Sequence, residues 1–322
     1  MQRSTRRLVG LVLTIACAAA VAQGYPSRPV RLVVGFAPGG AADTVARAMS
    51  DALGKALGQT VVIDNRPGAG SSLAAEHVAK QPADGYTLLI ASPSSISVNP
   101  ALNPKLGYKF SDLQPVLKVT SSPLVIAANP NTGIASIKDL IAAAKKAPGT
   151  INYATSGIGS APHLGAALFS QVAGVQLFHV PFKGGAPSVQ SVVAGDTQVT
   201  FATPPSVLEL VKGGRLRGLG VSAPQRSPLV PDLPGMVEAG LPGYSIDFWY
   251  GLFVPAGTPV HLTRKLFDAA TTAMRDPAVK QALMRDGTDV DLSPSPEQFA
   301  EFLAKDNVFW TKLVKDAGVT KD

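Results

Sequence analysis

Short β-branched runs alternate with alanine-rich helical stretches along most of this chain, and each strand passes into its helix through a glycine- or serine-rich turn. The first units pair Val30–Gly35 with Ala41–Leu57 and Val61–Asp64 with Ser72–Lys80, followed by an apolar run at Thr87–Ala91. Apolar strands separated by helices predict parallel βαβ units and an α/β fold. Within the first helix Val45, Met49, Leu53 and Leu57 recur every four residues, the stripe of a helix buried on one face.

The same grammar resumes after "PVLKVTSSPLVIAAN", where Ser121-Ser122-Pro123 joins two apolar pieces and reads as a passage into a second lobe. Helices are expected at Ile137–Lys146, Ala161–Ala173, Ala186–Ala194 and Val207–Lys212. The strands between and around them fall at Ile151–Ala154, Gln176–Val180, Gln198–Ala202 and Leu216–Ser222. A proline-glycine segment then leads to Trp249–Val254, a return strand, and three charged amphipathic helices expected to pack on the first lobe. The organisation predicted is lobe 1 at 23–122 and 246–322 and lobe 2 at 123–245, with two crossings that make a hinge and leave a cleft.

Residues 1–22 stand apart. Arg3, Arg6 and Arg7 precede an uncharged stretch that ends Ala20-Val21-Ala22, the pattern of a secretory signal peptide. The stretch of about 15 apolar residues falls short of the roughly 20 that span a bilayer. Cys17, the only cysteine, lies inside this segment and is also readable as a lipid-anchor acceptor, although Thr14 stands where leucine is usual. A mature chain without it has neither disulfides nor thiolate chemistry. Removing three arginines lowers the formal charge from +7 to +4. An excess that mild, without a basic cluster, argues against nucleic acid and suits small anions.

Three junctions share one design: "GFAPGGAAD" at 35–43, "ATSGIGSAPH" at 154–163 and "VPFKGGAPS" at 180–188. Glycine lets main chain approach a ligand, and the first amides of a helix have no intrahelical acceptor, so such turns bind anions. Each junction alone is also ordinary α/β construction; three of them facing one cleft make a carboxylate site without an arginine. Asp43 reads either as a ligand contact or as a first-turn carboxylate on the helix dipole. Ser92 and Ser94 follow the third strand and offer hydroxyls to a ligand or to the backbone. Phe36, Phe182, Phe248 and Trp249 are wall candidates or core residues.

Enzyme motifs fare poorly. Gly35–Asp43 lacks the lysine of a phosphate loop, and "GAGSSL" at 68–73 is only a partial dinucleotide fingerprint. Ser160 lacks the glycine of a nucleophile elbow. His77, His163, His179 and His261 show no metal-ligand spacing, so neither metal nor cofactor is expected. The competing enzymatic reading is an exported serine hydrolase using Ser160 with His163 as base.

The stretches "YPSRPVRLVVGFAPGGAADTVAR", "VVIDNRPGAGSSLAAEHVAKQPADGYTLLIAS", "SGIGSAPHLGAALF", "HVPFKGG" and "PDLPGMVEAGLPGY…WYGLFVPAGTP" resemble the Bug family of extracytoplasmic solute receptors, the substrate-binding proteins of tripartite tricarboxylate transporters. The resemblance implies a two-lobed type II periplasmic-binding-protein fold that closes on a small organic anion. The anion would be a mono-, di- or tricarboxylate or an aromatic acid, for delivery to a membrane permease or a sensor by a periplasmic monomer. The ligand-binding residues it implies, together with the donor argument above, are Phe36, Ala37, Pro38, Gly39, Gly40, Asp43, Ser92, Ser94, Ser156, Gly157, Ser160, His163, Lys183, Gly184 and Gly185. Ser191 and Gln198 stand where relatives carry acidic residues, so an acceptor for a ligand ammonium group is not identifiable.

Overall fold

The computed structural model describes residues 24–103 and 105–316; residues 1–22, read above as a signal peptide, and Cys17 lie outside them. Two mixed sheets form the frame. The first contains β1 (Val30–Val34), β2 (Val61–Asn65), β3 (Thr87–Ala91), β4 (Leu113–Pro123), β10 (Asp247–Pro255) and β11 (Asp289–Val290), in the order β11-β4-β10-β3-β1-β2. The second contains β5 (Val125–Ala128), β6 (Asn152–Thr155), β7 (Phe178–Pro181), β8 (Val199–Ala202) and β9 (Arg217–Val221), in the order β7-β6-β8-β5-β9.

The expected parallel pairing holds for β1 with β2 and β3, and for β6 with β7 and β8. It fails where the chain changes sheet. β10 runs antiparallel between β3 and β4, and β5 antiparallel between β8 and β9. A strand that enters from the other sheet has no crossover helix to reverse it, and antiparallel pairing is the geometry left to it.

The Ser121-Ser122-Pro123 stretch forms the end of β4. Ser121 and Ser122 remain in β4, paired with Trp249 and Phe248, and the chain passes between sheets at Leu124. The second crossing leads from Ser222 to Ile246. One hydroxyl pins the two together: fully buried Ser222 Oγ accepts the Leu124 N–H at 2.7 Å and donates to the Ile246 carbonyl at 2.6 Å.

The helices that matter for the site are α1 (Ala41–Leu57), α2 (Ser72–Ala79), α3 (Asn99–Leu102), α4 (Ile137–Lys146), α5 (Ala161–Ala173), α6 (Gly185–Ala194) and α7 (Pro204–Lys212). Val45, Met49, Leu53 and Leu57 of α1 are all buried, as the four-residue spacing required. Three C-terminal helices follow, α8 (Val260–Arg275), α9 (Pro277–Arg285) and α10 (Pro296–Asp316). α8 and α9 pack on α1, whereas α10 lies on β4 and also reaches α5, which belongs with the second sheet. A single apolar cluster runs across the hinge from Val34 and Ile90 through Phe248 and Tyr250 to Tyr153 and Phe201.

Candidate functional site

A narrow cavity of about 20 Å³, room for little more than one water, lies between the sheets. Its lining is neutral throughout: main chain at Gly40–Ala42 and Gly185, the hydroxyls of Ser94, Ser156, Ser188, Thr203, Ser206 and Tyr250, and the rings of Phe36, Phe201 and Phe248. A second chamber of about 230 Å³ shares Phe36 and Ser156 with it and extends past Gly157 and Lys183.

Which N–H groups remain available decides what the first cavity can hold. The helix α1 starts at Gly40, which supplies no side-chain cap. Among the described residues, neither Ala41 nor Asp43 donates its N–H to a protein acceptor, and the Ala42 amide faces the Tyr250 hydroxyl. Opposite, α6 starts at Gly184, again without a side-chain cap, and the Gly185 and Ala186 amides find no protein acceptor among the described residues. The two ends nearly touch: a Cβ on Gly40 would stand 3.6 Å from the Gly185 nitrogen and 3.9 Å from that of Ala186. Two helix N-termini, each equivalent to about half a positive charge, therefore face each other with no protein carboxylate between them. Such a juxtaposition favours an anion.

The α5 junction looked equivalent in sequence and is not. Ser160 Oγ accepts the His163 N–H at 3.3 Å as a helix cap, Ser94 Oγ reaches across to accept the Ala161 N–H at 2.9 Å, and Pro162 has no N–H. The amides of that helix start are already satisfied. The entrance to α7 offers hydroxyls instead, because Pro204 and Pro205 occupy its first turn, and Thr203 and Ser206 stand 3.4 Å apart.

The remaining candidates shape the site from behind. Asp43, almost wholly buried, accepts the Gly39 N–H at 3.0 Å, Arg47 Nε at 2.7 Å and Asn65 Nδ2 at 3.0 Å. Burial works to raise its pKa, but those hydrogen bonds outweigh it and hold the carboxyl below its ordinary value. It is the clamp of the Ala37–Gly39 turn. Ala37 donates to the Lys183 carbonyl at 3.4 Å, and Gly184 packs against Ala37 where a Cβ would come within 3.2 Å of its nitrogen. Pro38 and Gly39 complete that turn outside the cavity lining. Ser92 is fully buried and lines neither chamber.

His163 does not serve Ser160. Its Nδ1 accepts the Gly159 N–H at 3.2 Å, and its ring stacks on His179 at 4.0 Å. Burial lowers His163 to about 4; burial and the neighbouring His163 lower His179 to about 3. His179 Nε2 lies 2.7 Å from Thr155 Oγ1, so the pair braces the Thr155–Gly159 turn from below. The serine-hydrolase reading has no geometry behind it: the hydroxyl is a cap, and the imidazole is engaged elsewhere.

Ser188, Phe201, Thr203, Ser206 and Tyr250 were missed from sequence. "TPPS" at 203–206 is a strand-to-helix junction like the others, but proline replaces glycine, and the glycine criterion passed over it. For the return strand, period two was the usable signal. Phe248 and Tyr250 share one face and line the cavity, while Trp249 points the other way and donates to Asp306 at 2.9 Å.

The profile of the tripartite tricarboxylate transporter family receptors (TctC) matches residues 45–319. The chain belongs to that family. Protein BugT of Bordetella pertussis is 34% identical over 315 residues, covering 97% of this chain and 96% of BugT. Among solved structures, R. palustris Rpa4515 with adipate is 32% identical with a TM-score of 0.88, covering 92% of this chain and 99% of Rpa4515. MatC from Rhodopseudomonas palustris with bound malate is 32% identical with a TM-score of 0.85, covering 90% of this chain and 100% of MatC. The two-lobed periplasmic-binding-protein fold and the solute-receptor function expected from the sequence are those of this family.

Proposed function

We propose that this chain binds a small organic carboxylate in the cavity between its sheets, with the carboxylate seated between the N-termini of α1 and α6. The lobes are 23–122 with 246–322 and 123–245, and they close on the ligand about the Ser222 hinge. Phe36, Gly40, Ser94, Ser156 and Gly185 contact it, together with Ser188, Thr203, Ser206 and Tyr250. Gly157 and Lys183 border the adjoining chamber, while Ala37–Gly39, Asp43, Ser160, His163 and Gly184 fix the loops. The receptor acts after export and removal of residues 1–22, as a monomer that hands its ligand to a membrane permease or a sensor without chemical change.

The observation that carries this reading is the approach of Gly40 to Gly185, two uncapped helix starts with unpaired amides on opposite sides of one cavity. Hydrogen bonds to a charged group contribute about 1.5–3 kcal/mol each, so three or four suffice for the ~8 kcal/mol of micromolar binding. Calorimetry and thermal unfolding with adipate, malate and a broader panel of carboxylates test it. Binding of one carboxylate per chain with a rise in melting temperature is expected; no heat and no shift across the panel contradicts the proposal.

A further inference from the structure

Three consecutive residues, Ala69, Gly70 and Ser71, have left-handed backbones, at φ 46°, 59° and 76°. Ala69 and Ser71 are the only non-glycine residues with positive φ among the described residues. A side chain at Cβ disfavours that conformation, so the surrounding structure has to hold the turn in place. One side chain does much of the holding. Buried Asn99, at the start of α3, donates its two amide protons to the Gly70 carbonyl at 3.1 Å and the Ser94 carbonyl at 2.7 Å. The Gly159 carbonyl stands 3.5 Å from the same nitrogen.

The turn so held abuts another, main chain to main chain. A Cβ on Gly70 would come within 2.7 Å of the Ile158 carbonyl oxygen and 3.3 Å of the Gly159 carbonyl carbon, and one on Gly159 within 2.3 Å of Asn99 Oδ1. The first turn follows β2 of the first sheet and the second follows β6 of the second. Asn99 itself lines neither chamber. A buried amide that fixes a strained turn against the opposite lobe, away from the ligand's surface, acts on closure.

We infer that Asn99 is a positioning residue for lobe closure: it holds Ala69–Ser71 in the shape that docks on Ile158–Gly159, and so sets how long the receptor stays shut on its ligand. This rests on the carboxylate reading above and deepens it. A contact made only with the lobes together is absent while the ligand enters and must break before it leaves. Its loss therefore appears in the dissociation rate and not in the association rate.

The test is stopped-flow measurement of both rates on the protein lacking residues 1–22, with adipate and malate as probes. Asn99→Ala is expected to raise the dissociation rate about tenfold, with the association rate within about twofold of wild type. Gly159→Ala, which disturbs the same contact from the other side, is expected to raise it about fivefold, and it carries the test if Asn99→Ala does not fold. Because Asn99→Ala removes the atoms that the new Cβ would strike, the double variant should dissociate within about twofold of Asn99→Ala alone. An unchanged dissociation rate in both single variants, a loss carried by the association rate, or a double variant that multiplies the two single effects overturns the inference. In those outcomes wild-type binding leaves the carboxylate site standing; if the wild type binds neither acid, both fall.

Discussion

The starts of α1 and α5 look alike in sequence and differ in what they leave free. Both follow a strand, both carry glycines and small residues, and both open helices that border the same cleft. At α5 a serine caps the helix and a second serine from the other lobe takes the next amide. At α1 the capping position is Gly40, and the nearest carboxylate, Asp43, is turned back onto Gly39, Arg47 and Asn65. A glycine-rich turn marks a ligand site only when nothing in the protein answers its amides. Where a hydroxyl stands at the cap, the same turn is a structural joint.

The most severe way to break the comparison is to give α1 the carboxylate it lacks. Gly40 has φ −87°, and a Cβ there meets nothing closer than 3.5 Å, so Gly40→Asp fits the backbone. It places a charge between the two helix starts. Carboxylate affinity should fall by on the order of 100-fold, since like charges in one site cost several kcal/mol. The empty protein should melt about 1 °C higher, since an aspartate cap exceeds a glycine cap by only a few tenths of a kcal/mol. Calorimetry and a melting curve on one preparation check both.

Asp43→Ala comes next. It strips three donors of their acceptor and frees the Ala37–Gly39 turn, and it should destabilise the protein by about 1–3 kcal/mol with roughly tenfold weaker binding. Denaturant unfolding and titration measure the two effects. Ser160→Ala sharpens the contrast from the other side: a loss of ~1 kcal/mol in stability, as for any helix cap, with affinity unchanged within about twofold. A large loss of affinity there would put α5 among the ligand-binding helices.

The smallest effect is a slope. His163 and His179 are neutral and depressed by burial to about 4 and about 3, so the unfolded chain takes up their protons first as pH falls below the ordinary imidazole range. With more protons bound in the unfolded state, stability declines as pH falls from about 6.5 to 4. Asp306, raised by burial to about 6 between the Trp249 and Trp310 indoles, opposes this. The difference in melting temperature between His163→Gln and wild type cancels that opposing part and should narrow steadily toward acid pH.

Much of this architecture was legible. The four-residue stripe of α1 and the limits of β3, α4 and α5 follow directly from periodicity and turn residues. Strand direction was not, because antiparallel β5 and β10 carry the same apolar signature as their parallel neighbours and differ only in where the chain comes from. In the site, glycine pointed to Gly40 and Gly185 but equally to the satisfied turn before α5, since hydrogen-bond partners such as Ser94 and Ala161, 67 positions apart, leave no local mark. The prolines at 204 and 205 concealed the hydroxyls on either side of them.

The most direct test is a backbone amide spectrum recorded as a bound carboxylate is titrated in. The resonances of Ala41, Asp43, Gly185 and Ala186 should move together and saturate with the binding curve, while Ala161 and His163 stay close to their starting positions. Equal movement at the two α5 amides, or stationary signals at α1 and α6, would contradict a carboxylate seated between two uncapped helix ends.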